Sequence, residues 1–175
     1  FACPVSFLGN AGPSKQSRQI MEDGLRKHGL VDLAERMIER LFAGDDFFRL
    51  CRAESLETLP ENQRTLIQTY VLNEQLRRGR TMFLKPLIPF GHRLYGSTWQ
   101  TVDDDPAIQS VAHDNVPYSH RFDDYASSTI NIDISRYTSP SVRFFEVPSA
   151  RAFMLAHRRD TYLDFLSEEE TVYFS

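Results

Sequence analysis

The chain reads as an α/β protein, a Rossmann-like doubly wound parallel sheet with a helical elaboration after its first strand. Three observations predict it. From His92 onward, short apolar runs alternate with short amphipathic segments, the rhythm of strand–helix–strand units. The runs are nearly continuous in apolar residues, as strands covered on both faces require. One segment, 14–83, is helical throughout, so the first crossover is greatly extended.

The first strand is expected at Pro4–Asn10, PVSFLGN, stopped by Gly-Asn and then Gly12-Pro13. The SFLGN turn reads either as a ligand-side loop or as a plain strand-to-helix turn. The plain turn is favoured, because no GxGxxG follows. Ser14 suits an N-cap, and a helix to about Lys27 would turn Ile20, Met21, Gly24 and Leu25 inward. Val31–Phe42 repeats an apolar stripe at helical spacing. Ala43–Glu57 reads as a short helix, with Asp45-Asp46 as a helix-end or surface pair rather than a metal site. Glu61 to about Phe83 is the longest helix, with Leu66, Ile67, Tyr70, Val71, Leu76 and Met82 on one buried side. Arg77, Arg78 and Arg80 near its end suit a solvated basic face better than a phosphate site. Pro86 and Pro89 then break the pattern.

The second half follows in order: strands at His92–Tyr95 and Ile108–His113, and a helix over Ser119–Ser127 with Phe122, Tyr125 and Ala126 inward. A strand at Thr129–Ile134 leads to a polar loop, Ser135–Ser141. A helix starts at Val142, strands lie at Ala152–Ala156 and Thr171–Phe174, and a short helix over Arg159–Leu166 separates them. The whole, residues 1–175, is expected to be a single domain, possibly truncated at both ends.

Composition narrows the function. Net charge is -4, split unevenly: residues 1–100 hold 14 basic and 11 acidic side chains, residues 101–175 hold 6 and 13. No basic stripe marks a nucleic-acid surface. Cys3 and Cys51 make neither a disulfide framework nor a metal cluster, and a reducing, cytoplasmic setting is expected. No apolar run has membrane-spanning length, and no signal peptide is read at FACPVSFLG. No metal or cofactor is called for.

In an open parallel sheet, ligands sit beyond the carboxyl ends of the strands. The strongest candidate is Ser135–Glu146, a long polar loop feeding a helix whose first turn offers free N–H groups. Arg143 there supplies fork-like donors for a diphosphate. Glu146 is either an acceptor for a ribose diol or only an acidic first-turn residue. His113 and Asp114 follow a strand end, where the histidine could act as a base or donor contact. His92 and His157 suit structural places. Asp103–Asp105 reads as a solvated turn. No nucleophile elbow, Walker motif or CxxC pair is present.

The segments RLYGSTW, VPYSHRFDDYASSTINIDI and RFFEVPSARAFMLAHRRDTYLDFL, followed by EEETVYF, resemble the C-terminal part of glycosyltransferase-like proteins related to spore-maturation protein CgeB. The likeness covers residues 92–175, and more loosely the first strand and helix 61–83. It implies the nucleotide-sugar-binding half of a two-domain GT-B type glycosyltransferase, partnered by an N-terminal domain of the same protein. A nucleoside diphosphate sugar would be the donor and the acceptor is unspecified. The resemblance implies that Glu146 contacts the donor ribose and Arg143 the phosphates, with Ser139 and Ser141 completing the cradle. The loops after Gly9, Gly96 and His113 would close around the nucleotide, and Tyr118 would border the base. Two positions depart from the pattern. Related retaining enzymes carry a second glutamate eight residues before the first, where this chain has Thr138. A glycine is frequent where it has Arg151, a residue that would either block close approach or add a phosphate contact. The competing reading is a catalytically degenerate domain that keeps the fold as an interaction or scaffold module.

Overall fold

The computed structural model describes residues 3–9, 11–102, 105–134, 141–158, 163, 165–167 and 171–174. It is an α/β structure with a six-stranded, all-parallel sheet, as expected from the sequence. Contacts divide the chain into two compact units. One joins residues 1–11 to 80–175 and holds the sheet; the other, 12–79, is helical.

In the sheet unit the strands are β1 (Cys3–Leu8), β2 (His92–Tyr95), β3 (Ala112–His113), β4 (Ser128–Asp133), β5 (Met154–His157) and β6 (Val172–Phe174). Their order is β3-β2-β1-β4-β5-β6, so the order reverses between β1 and β4. Leu8 lies beside Tyr95 in β2, and Ser6 lies beside Asn131 in β4. Asp133 pairs with Ala156 in β5. The carboxyl ends of β1 and β4 therefore open side by side, the place where such sheets leave a crevice. Phe7, Leu94, Trp99, Ile108 and Ile132 fill one core of this unit. Leu8, Val116, Tyr125, Phe144, Val147 and Met154 form another.

Around the sheet lie α5 (Trp99–Val102), α6 (Pro106–Ser110), α7 (Arg121–Ser127) and α8 (Val142–Ser149). The expected strand at Ile108–His113 is corrected here: only Ala112–His113 pairs, and Ile108 belongs to α6. The cause is local. Asp105 Oδ1 accepts from Ala107 N at 2.9 Å and Pro106 takes the first helical position, a strong helix start. In α7 only Tyr125 is buried, while Phe122 and Ala126 are exposed, since seven residues present one narrow inner edge. The expected helix over Arg159–Leu166 falls largely outside the described residues.

The helical unit contains α1 (Lys15–Lys27), α2 (Val31–Phe42), α3 (Phe47–Ala53) and most of α4 (Glu61–Leu84), whose last turn belongs to the sheet unit. Ser14 caps α1, accepting from Ser17 N, and Asp46 caps α3, accepting from Arg49 N. Leu25, Met37, Ile38, Leu50, Ile67 and Val71 form the core, while Ile20 is exposed, against expectation. Met82, in the last turn of α4, is exposed too.

The arginines of α4 are not a solvated basic face. Glu74, fully buried, binds Arg77 Nη2 at 2.9 Å and Arg78 Nε at 3.2 Å, and Arg78 also grips Glu35 at 2.7 Å. Burial alone would raise the Glu74 carboxyl, but the two arginines hold it below its ordinary value. Arg80 is buried, donating from Nη2 to Ile134 O at 3.3 Å and lying 5.2 Å from the Phe7 ring centre. Among the described residues no helix is long and apolar enough to cross a membrane.

Candidate functional site

At the crevice between β1 and β4, the chain leaves β1 at Gly9, and α8 begins just after Ser141. Asp133, the last residue of β4, is wholly buried, which a carboxylate tolerates only with partners. Its Oδ1 accepts from Ser141 Oγ at 2.7 Å and from Arg143 Nε at 3.1 Å. Arg143 Nη2 lies 3.0 Å from the same oxygen. A further Arg143 nitrogen, Nη1, donates to the Leu8 carbonyl, and the guanidinium sits 4.8 Å from the Phe7 ring centre. One arginine on α8 thus ties the end of β4 to the end of β1.

Gly9 is what leaves room for it. A Cβ at this position would stand 2.4 Å from Arg143 Nη1 and 3.2 Å from the Phe7 ring. Its backbone is held on both sides, by Gly9 N donating to Tyr95 O at 2.7 Å and by Trp99 Nε1 donating to Gly9 O at 2.5 Å.

Glu146 lies one turn further along α8 and is only 6% exposed. Tyr125 OH donates to its Oε2 at 2.8 Å. Burial first, and Glu146 second, raise the Tyr125 pKa, which keeps the phenol a donor. The other oxygen, Oε1, is buried and has no hydrogen-bond partner among the described residues. A buried acceptor left unpaired costs about 1–3 kcal/mol, so an arriving donor is favoured there.

These groups line one cavity of about 310 Å³, bounded by Leu8, Gly9, Asn115, Arg121, Tyr125 and residues 141–143 with Glu146. Glu146 and Val142 also line a second cavity of about 270 Å³, walled by Tyr118, Phe122, Phe145 and Ser149. The first is polar and charged; the second has three aromatic residues among its six.

A family model described as glycosyl transferase-like matches residues 77–175, more than half of the chain. The chain belongs to this glycosyl transferase-like family. No curated protein and no solved structure matches it. The match of this transferase-like chain spans β2 to β6 and every cavity residue except Leu8 and Gly9 of the β1 end.

Of the residues expected to form the site, Arg143, Glu146, Ser141 and Gly9 meet at the first cavity. Tyr118 lines the second, exposed, with the Arg121 guanidinium 5.4 Å from its ring centre. Gly96 and His113 lie at the ends of β2 and β3, joined by Gly96 N donating to His113 O at 3.2 Å, and neither lines either cavity. His113 is exposed and rests 5.2 Å from the Tyr95 ring. Ser139, like Tyr137 and Thr138, lies outside the described residues. Ser141 stands at the N-cap of α8, but its hydroxyl serves Asp133 rather than the helix.

Arg151 lines neither of these two cavities. It is exposed at the far end of α8, with φ of 55°, and its N–H donates to Pro148 O at 2.8 Å. This is the left-handed residue that closes a helix, where glycine is favoured. Sequence reasoning missed Asp133, Tyr125, Arg121 and Asn115 as site residues. The one sequence signal for Asp133 was a carboxylate within an otherwise apolar strand end, which needs a partner when buried.

Proposed function

We propose that the sheet unit binds the nucleoside diphosphate of a sugar donor, for transfer of the sugar to an acceptor. The observation that carries this reading is Arg143 and a nearly buried Glu146, on one face of α8, lining one cavity at the point where strand order reverses. The diphosphate would lie at the N-terminal end of α8, near Arg143 and the first-turn N–H groups. Glu146 would accept from a ribose hydroxyl, and the base would reach the aromatic wall of Tyr118, Phe122 and Phe145. As the bond from the sugar to the diphosphate breaks, charge grows on the leaving oxygen. Fixed donors stabilise that charge more than the ground state, which lowers the barrier. On this reading the chain is the CgeB-like, donor-binding half of a two-domain GT-B protein, and it works in the cytoplasm.

A second reading is a degenerate domain used for assembly. The exposed aromatic residues Tyr118, Phe145 and Phe165 favour it, the last two packed edge to face at 5.7 Å. Calorimetric titration of the intact protein with UDP, GDP, ADP and their sugar derivatives separates the two. The transferase reading expects one base to be preferred, with binding lost in both Arg143→Ala and Glu146→Ala. Failure of the wild type to bind any of them sinks it in favour of assembly.

A further inference from the structure

We infer that Tyr125 is a positioning residue for Glu146, fixing which carboxylate oxygen is offered to the ligand. The inference rests on the donor-binding reading above and deepens it. A glutamate side chain can rotate its terminal group, and its two oxygens are chemically equivalent. Here they are made unequal. Oε2 is held by Tyr125 OH at 2.8 Å, while Oε1 has no partner among the described residues. The side chain therefore has one oxygen committed and one left to accept from a ligand hydroxyl.

Tyr125 can do this because its own place is set from the middle of the sheet. Its ring is 1% exposed, packed at the core edge with Phe144, Val147 and Met154. Its carbonyl accepts from Asn131 Nδ2 at 3.0 Å. Asn131 Oδ1 in turn accepts from Ser6 Oγ at 2.8 Å, across the β1–β4 pair where Ser6 and Asn131 stand in register. Both side chains are buried. A polar relay thus runs from β1 through β4 to α7, and its last member, the phenol, meets the carboxylate. Buried polar chains satisfied along their length are stiff. The same relay references the glutamate to β1, whose end carries Gly9 at the other side of the cavity. Tyr125 touches no reacting atom in this arrangement; it acts through Glu146.

The test reads ribose preference, defined as Kd for the 2′-deoxy or 3′-deoxy nucleoside diphosphate divided by Kd for the ribose form. The base is whichever of UDP, GDP or ADP the wild type binds best. The wild type is expected to prefer ribose by about tenfold or more, as a buried acceptor rejects an analogue lacking the donor. In Tyr125→Phe and in Glu146→Gln the ratio is expected to fall to within about threefold, with the deoxy form bound nearly as before. A role confined to packing would weaken both forms together and leave the ratio unchanged, which overturns the inference. Should Tyr125→Phe not fold, Y125F/E146Q, which leaves no carboxylate at position 146, is compared with Glu146→Gln. Equal ratios support action through Glu146, and a further loss of ribose preference in the double variant overturns it. A wild type that binds no diphosphate removes the donor-binding reading and this inference with it. Binding with an unaltered ratio in Tyr125→Phe removes only the inference.

Discussion

Removing the Asp133 carboxylate is the sharpest perturbation of the crevice. In Asp133→Ala the Arg143 guanidinium keeps the Leu8 carbonyl and the Phe7 ring but loses its counter-charge. Breaking a buried pair from one side costs about 3–5 kcal/mol, mostly because the surviving charge stays desolvated. The side chains here are 14% and 1% exposed, so water reaches the arginine end slightly, and the lower bound of about 3 kcal/mol applies to Asp133→Ala. At roughly 2–4 °C per kcal/mol for a chain of this length, the melting temperature should fall by about 6–12 °C. Arg143→Ala, which strands the better-buried partner, should cost as much or more. The double variant leaves neither charge, so it should be about 2–3 kcal/mol more stable than the sum of the singles implies. Urea unfolding followed by circular dichroism, at about 0.15 M and 0.5 M salt, gives all four corners of the cycle. The coupling should hardly change with salt, because screening acts weakly on buried pairs. Additivity within about 0.5 kcal/mol would show that the two groups are not energetically linked and would refute the tie between β1 and β4.

Gly9→Ala should cost about 1–3 kcal/mol, because the added methyl meets an Arg143 end that Asp133 prevents from swinging away; thermal unfolding of Gly9→Ala with and without Arg143→Ala checks it, the double recovering most of the loss. Arg151→Gly should stabilise by about 0.5–1 kcal/mol, the relief of a left-handed residue at φ 55° less the extra freedom of glycine when unfolded; no gain in the denaturation midpoint would count against it. His92, 1% exposed, has its pKa pushed down by burial to about 4. Its folded form stays neutral while the unfolded chain takes up a proton below about pH 6.5, so stability is full above that value and falls as pH drops toward 4, by about 3 kcal/mol in all. Stability measured from pH 7 to 4 should therefore be flatter in His92→Leu than in the wild type.

How far the sequence could be read depends on where each residue's partners lie. The strand His92–Tyr95 and the helix from Val142 were legible because their cues are local: a short run between Gly91 and Gly96, and a polar loop before an amphipathic turn. Arg143 and Glu146 were legible as a pair for the same reason. Asp133 was not, because its role arises from strand order, which brings β4 beside β1 and lets Arg143 reach Leu8, 135 positions away. The Tyr125–Glu146 bond spans 21 positions and two helices. Arg78 and Arg80 have partners, Glu35 and Ile134, that lie 43 and 54 positions off, whereas Glu74, three and four positions from Arg77 and Arg78, was a local cue passed over. The α6 error had another source: the Asp105-Pro106 helix start was read as part of a turn, which left Ile108–His113 to be read as a strand.

The turn after β1 also explains why a missing glycine fingerprint does not mean a missing anion site. In a dinucleotide-binding turn, glycines clear space so that the backbone can approach a pyrophosphate. Gly9 clears the same kind of space, but the Arg143 guanidinium occupies it. One glycine is then enough, because what must fit is a planar side chain at a single position rather than a ligand passing along several residues. The anion-reading function, on the proposed reading, moves from the backbone after β1 to α8. The arginine carries five N–H donors, more than its contacts with Asp133 and Leu8 use. Holding it by Asp133 removes most of its conformational freedom before any ligand arrives, so less entropy is lost on binding. It also offsets its charge, so affinity for a diphosphate should come from directed hydrogen bonds more than from net attraction. Such a site would discriminate by shape, and its binding would depend only weakly on salt.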